Sequence, residues 1–186
     1  MQLLPASHPP ARSYHSIAYD TVHNHTVLFG GWNWSAELGD TWVTQGISAS
    51  AIQYGSGCGS PALGFVPQVI DRPVLGQNGG ATIVNAPTSV AGVAMGWSNQ
   101  FFGPFALPVT LAGIGMPGCD LRHSAEIIGL GASPLTPSTL SFSLAVPNVL
   151  TLIGSHVYMQ AYALAPGVNP LQVIISNGIN WLLGDV

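Results

Sequence analysis

The chain of 186 residues is 47% hydrophobic and only 5% charged, with a formal net charge of −4. A typical soluble domain carries about 25% charged residues, so this surface must be built from Ser, Thr, Asn, Gln and backbone. Three arginines and no lysine exclude the clustered cations that neutralise phosphates, and nucleic acid is not expected as a partner.

Glycines (23) and prolines (15) are spread along the chain, where they break helices and punctuate short strands. Val, Ile, Thr and aromatic residues fill the stretches between, which predicts an all-β protein. No unbroken apolar run reaches about 20 residues, so no membrane span is expected. Residues 1–12 are Pro-rich and extended. Residues 13–19, SYHSIAY, alternate as a strand, and HTVLF at 25–29 is its hairpin partner. Gly30-Gly31 ends that run, WNWSAELG forms a loop, and DTWVTQ starts another strand. The small-residue passage ISASAIQYGSGCGSPALG then marks a division near residue 47, giving segments 1–47 and 48–186.

Beyond the division, GGATIVNAPTSVAGVAMGWSN reads as two strands joined at Asn85-Ala86-Pro87. GPFALPVTLAGIG is a further strand, with Pro108 at an edge or bulge. GCDLRHSAEIIGLG and STLSFSLAVP follow, NVLTLIGS holds a short helical turn, and HVYMQAYALAP and LQVIISNGINWLLG close the chain. Strands spaced by roughly 8–12 residues predict an antiparallel β-sandwich or jelly roll, with a small open barrel as the alternative.

Cys58 and Cys119 both fall in Gly-rich turns. Two cysteines do not supply the four ligands of a structural zinc site, and a disulfide closing a long loop is expected. The alternative is two unrelated thiols. A disulfide implies an extracellular or exported setting, yet MQLLPASHPPARS has no basic start or long apolar core and does not read as a signal peptide. The two are reconciled if the chain is the tail of a longer exported protein.

Three groups of residues invite a chemical reading. His23 and His25, two apart on a strand, share a face; His15 lies on the paired strand and Asp20 at the turn. These four could hold zinc or copper with a water at the open position, the basis of a metal-assisted ester or lactone hydrolase. The competing reading makes His15 a packing residue and places the other two at a solvated hairpin tip. In DLRHSAE, Asp120 and Glu126 would share a strand face and resemble the carboxylate pair of a glycosidase, but Arg122 between them favours a charged surface stripe. In SHVYMQAYAL, His156, Tyr158, Gln160 and Tyr162 share one strand face while Val157, Met159, Ala161 and Ala163 turn to the core. Such a polar-aromatic stripe, together with Trp32 and Trp34 of the loop, suits a sugar or polymer ligand. GWSNQ lacks the second glycine of a nucleophile elbow, and no Gly-rich loop leads into a lysine.

Residues 11–43, ARSYHSIAYDTVHNHTVLFGGWNWSAELGDTWV, resemble one kelch repeat. The resemblance rests on Ala11, Arg12 and His15, on Tyr19-Asp20 before the turn, on the apolar run into Gly30-Gly31, and on Trp42 after Asp40-Thr41. One blade cannot close a propeller, and the resemblance implies self-association or cover from elsewhere for its exposed strands. Residues 54–184 resemble a C-terminal β module of planctomycete-type exported bacterial proteins, through YGSGCGSP, GMPGCDL, PNVLTLIGSHVYMQAYALAPGVNPL and ISNGI. His123 and His156 depart from that pattern. This second resemblance implies display or attachment rather than catalysis. The expectations are therefore a non-enzymatic extracellular binding or display module with a polysaccharide or protein ligand and no resident cofactor. The metal-assisted hydrolase and the carbohydrate-binding module are the alternatives.

Overall fold

Among the described residues of the computed structural model, 8–21 and 25–186, the chain forms only strands and two single turns of 3₁₀ helix. The class is all-β with antiparallel sheets. Internal contacts divide the chain into one unit of residues 1–47 with Val186, and a second of residues 48–185.

In the first unit, β1 (Ser16–Asp20), β2 (His25–Phe29) and β3 (Thr41–Gln45) form a three-stranded sheet in that order. Its register pairs Ser16 with Phe29 and Phe29 with Thr41 at one end, and Asp20 with His25 at the other. A polar knot fastens the first of these ends. Arg12 donates through both terminal nitrogens to the Asp40 carboxylate, at 2.5 and 2.9 Å, and to the Gly30 carbonyl at 2.9 Å. The Trp42 indole N–H donates to the same carboxylate at 2.6 Å. Hydrogen bonds from Arg12, then from Trp42, hold the Asp40 carboxyl well below the usual range. Gly31 sits at φ +105°, and a Cβ there would lie 2.8 Å from the Ser13 carbonyl, so only glycine fits.

The second unit is built from β4 (Ser50–Tyr54), β5 (Gly64–Pro67), β6 (Asn78–Val84), β7 (Ala91–Gly96), β8 (Phe101–Phe102), β9 (Phe105–Ala106), β10 (Val109–Thr110), β11 (Asp120–Leu121), β12 (Ile127–Gly131), β13 (Ser133–Thr136), β14 (Thr139–Ala145), β15 (His156–Leu164) and β16 (Val173–Leu182). A five-stranded sheet of order β12-β7-β15-β16-β4 and a four-stranded sheet of order β13-β14-β6-β5 share one core. Phe65 and Phe142 of the smaller sheet meet edge-on at 5.9 Å, and Phe142 reaches Trp181 of the larger sheet at 6.4 Å. Val157, Met159, Ala161 and Ala163 all face this core, as their alternation predicts. The turn at residues 85–87 does join two strands, but β6 and β7 lie in different sheets.

Two segments differ from their sequence reading. Residues 103–115 are not one strand; they supply β9, β10 and a 3₁₀ turn, Ala112–Ile114. Residues 120–131 break into β11 and β12, because Ala125 takes φ +53° and ends any extended run.

A bulge organises the centre of the larger sheet. Gln160 pairs with Gly178 and Tyr162 with Ile175, so Ser176 and Asn177 together oppose Ala161. The Ser176 hydroxyl accepts from the Ala161 amide at 2.8 Å, where a backbone carbonyl would otherwise sit. Asn177 is turned to the opposite sheet. Its Oδ1 accepts from the Phe65 amide at 2.8 Å and its Nδ2 donates to the Phe65 carbonyl at 2.9 Å, a strand-like pairing made by one side chain.

Candidate functional site

The hairpin imidazoles do not converge. His15 precedes β1 beside Gly31, whereas His25 pairs with Asp20 at the opposite end of the sheet. Five strand steps of about 3.3 Å separate the two ends by roughly 17 Å, too far for one ion. His25 Nε2 lies 3.7 Å from Asp20 Oδ2, and His23 lies outside the described residues. Among the described residues no three of His, Cys, Asp and Glu are grouped to hold a metal. The expected cluster of His15, His23, His25 and Asp20 therefore loses His15, because hairpin register puts it at the wrong end.

The outer face of β15 is largely occupied by its own protein. Gln160 is 2% exposed. Its Oε1 accepts from the Arg122 amide at 2.7 Å, and its Nε2 donates to the carbonyls of Ser176, at 2.8 Å, and Asp120, at 3.1 Å. Gln160 thus fastens a strap, residues 119–124, across the sheet and is not available to a ligand. Tyr162 lies over Gly92, where a Cβ would come within 2.6 Å of the Tyr162 hydroxyl. Tyr54 lies in the same way over Gly178, and its hydroxyl donates to the Arg122 carbonyl at 3.0 Å. Of the expected stripe His156 is exposed, whereas Tyr158 and Tyr162 are half-buried. The His156 and Tyr158 rings stack at 6.0 Å, and His156 Nδ1 is 2.9 Å from Asn180 Oδ1.

The strap begins at the Cys58–Cys119 disulfide, which ties it to the loop beside β16. The charged surface stripe expected there is present only in part: Glu126 is exposed and the Asp120 side chain is 37% exposed, but that of Arg122 is only 17% exposed. Arg122 pairs with Asp120 at 3.1 Å and is packed against Gly55. His123 is fully buried, and its Nδ1 accepts from the Ala125 amide at 2.9 Å. Burial, opposed only in part by Glu126, lowers the His123 pKa to about 4. The Ser124 hydroxyl donates to Glu126 at 2.6 Å rather than to any imidazole. These residues do not compose a nucleophile, base and orienting acid in series.

The first unit also carries a recess. An open groove of about 530 Å³ is lined by Tyr14, Phe29, Trp32, Glu37 and the Gly30-Gly31 backbone. Hydrogen bonds tie its walls together. Trp32 exchanges backbone hydrogen bonds with Ser13, at 2.8 and 3.0 Å, and Asn33 Oδ1 accepts from the amides of Ser35 and Ala36. Trp34 packs against Trp32 at a ring separation of 5.5 Å. Tyr14 and Trp34 are held at φ +54° and +75°, and the two residues are 92% and 76% exposed. Bulky residues rarely enter this left-handed region, at a cost of about 1–3 kcal/mol each, and such strain concentrates at ligand sites. The sequence singled out the two tryptophans. It gave no sign of Tyr14 or Glu37, which reach the groove through the turn at Tyr14 and the bridge between Trp32 and Glu37.

No family model, curated protein or solved structure matches this chain.

Proposed function

We propose that this chain is a non-catalytic binding module of an exported protein, and that its kelch-like first unit holds a neutral polysaccharide in the groove beside Trp32. The observation that carries this reading is the pairing of an aromatic groove with two exposed aromatic residues in strained backbone conformations. Aromatic faces suit the C–H faces of a sugar ring. The Glu37 carboxylate accepts hydrogen bonds from hydroxyls and disfavours an anionic polymer. Net charge reinforces that choice, since Arg12 and Arg122, two of the three arginines, are engaged by Asp40 and Asp120. The Cys58–Cys119 disulfide supports an oxidising compartment, and the two histidines at opposite ends of the hairpin favour binding over metal-assisted hydrolysis.

Affinity electrophoresis tests the proposal. Gels containing β-glucan, xylan, mannan or alginate are run with the intact chain and with Trp32→Ala. At least one neutral polymer is expected to retard the intact chain, with alginate inert. Loss of the Trp32 ring is expected to weaken binding about 10–30-fold, the equivalent of roughly 1.4–2 kcal/mol. Unchanged mobility in all four gels would refute the reading.

Self-association is a second reading, favoured by the first unit's sheet. Ile17 and Tyr19 are exposed on one face of it, and Phe29 and Val43 on the other. Apolar groups on both faces suit a blade that stacks on neighbours. Light scattering at micromolar concentration is expected to show a dimer or larger species; a strict monomer would remove this reading.

A further inference from the structure

We infer that the hairpin of β8 and β9 is a lipid-binding finger, which seats its three phenylalanines in the interfacial zone of a zwitterionic membrane surface. The two strands form a sheet of their own, and residues 99–106 are all exposed. Gly103 and Pro104 turn the chain between Phe102 and Phe105, and a Cβ at Gly103 would meet no atom within 4 Å. Phe101, Phe102 and Phe105 are 57%, 39% and 59% exposed. Contiguous exposed apolar residues of this kind mark interaction sites.

Area, backbone satisfaction and charge select a bilayer over a protein partner. At about 150–250 Å² per aromatic side chain, the exposed parts of the three rings amount to roughly 230–390 Å². A stable protein interface takes about 800 Å² from each partner. A bilayer sets no such minimum and needs no matching pocket. At about 3.3 Å per residue the arms of the finger reach roughly 10–13 Å, which suits burial by about 5–10 Å at the headgroup boundary and is too short to span. Backbone entering lipid must bring its hydrogen bonds with it. Here Phe101 pairs with Ala106 and Phe102 with Phe105, and the Leu107 amide donates to the Gln100 carbonyl at 2.9 Å. Ser98 Oγ accepts from the amides of Gln100 and Phe101 at 3.1 and 3.3 Å, and Pro104 in the turn has no N–H to satisfy. Trp97 precedes the finger and is 52% exposed, the residue type that sits at headgroup level. Its amide donates to Ser124 Oγ and Glu126 Oε2, both at 3.1 Å. Charge then selects the lipid. No charged residue occurs from Pro73 through Cys119, and the exposed Glu126 beside Trp97 repels anionic headgroups. The finger belongs to the second unit, and the inference is independent of the sugar groove.

The test is co-sedimentation of the intact chain with sucrose-loaded phosphatidylcholine vesicles, and with vesicles of equal parts phosphatidylcholine and phosphatidylglycerol. The double variant Phe101→Ser, Phe105→Ser changes only exposed side chains and leaves the core alone. Val69→Ser with Ile70→Ser, an apolar pair 88% and 89% exposed elsewhere on the second unit, is the control for general stickiness. The intact chain is expected to partition onto phosphatidylcholine, no more strongly when phosphatidylglycerol is added, and without loss at high salt. The Phe variant is expected to bind roughly 10–100-fold more weakly, and the Val69–Ile70 variant as the intact chain does. No sedimentation with phosphatidylcholine would overturn the inference. So would equal loss in the two variants, or binding that requires phosphatidylglycerol and fails at high salt. A finger that instead joins two copies of the chain would show itself in light scattering without vesicles, as a mass lowered by the Phe variant alone, and that result also counts against lipid.

Discussion

Asn177 shows how one polar residue can join two sheets. Its carboxamide satisfies both the amide and the carbonyl of Phe65, and Gln53 Nε2 donates to that carbonyl as well, at 2.7 Å. Removing Asn177 therefore orphans the Phe65 amide more than its carbonyl. Asn177→Ala is expected to destabilise the fold by about 2–3 kcal/mol, mostly from that buried unpaired donor, and urea unfolding measures it. His123 supplies a second test at this scale. Its folded pKa of about 4 lies below the ordinary 6.5, chiefly through burial, so between these values the unfolded chain binds the extra proton. Stability from this group is whole above pH 6.5 and is lost as pH falls toward 4, by on the order of 3 kcal/mol. His123→Asn keeps an acceptor for the Ala125 amide and does not titrate, so its unfolding midpoint should vary less over that range. A wild-type slope retained in the variant would assign the dependence to other groups.

At the scale of elements, strand alternation was the legible signal. It put Val157, Met159, Ala161 and Ala163 in the core and left their neighbours outside. Alternation could not show what covers the outer face, because a strap 40 residues away in sequence supplies the partners of Gln160. The polar pair Ser176-Asn177 inside an apolar strand was the available clue to the bulge, since a two-residue polar break favours irregular pairing. The motif residues of the first unit were legible as a group, and the structure gives several of them one task in the knot of Arg12, Asp40 and Trp42. Asp40→Asn removes the charge that Arg12 grips. Hydrogen exchange is expected to quicken through β1–β3 while β15 and β16 remain protected; uniform change across both units would contradict a knot local to the first. The Cys58–Cys119 bond acts on the strap in the same local way. Replacing both cysteines with serine opens a link across 61 residues of sequence and is expected to cost about 2–4 kcal/mol of unfolding free energy, measured by urea denaturation.

At the scale of the whole molecule, a chain with 5% charged residues uses glycine-backed tyrosines, a disulfide and buried amides where other proteins use ion pairs. Among the described residues no helix is long and apolar enough to cross a membrane. The all-β class followed from glycine and proline spacing, but the groove did not. It depends on left-handed turns at Tyr14 and Trp34, two aromatic positions where the sequence gives no reason to expect them. The most direct test of the central claim follows the indole N–H signals of the intact labelled chain as β-glucan, xylan and mannan hexasaccharides are added in turn. One of the three is expected to shift Trp32 and Trp34 saturably and leave Trp97 and Trp181 unmoved. If none moves the Trp32 signal, or if the perturbed residues centre instead on His156 and Tyr158, the groove is not the sugar site.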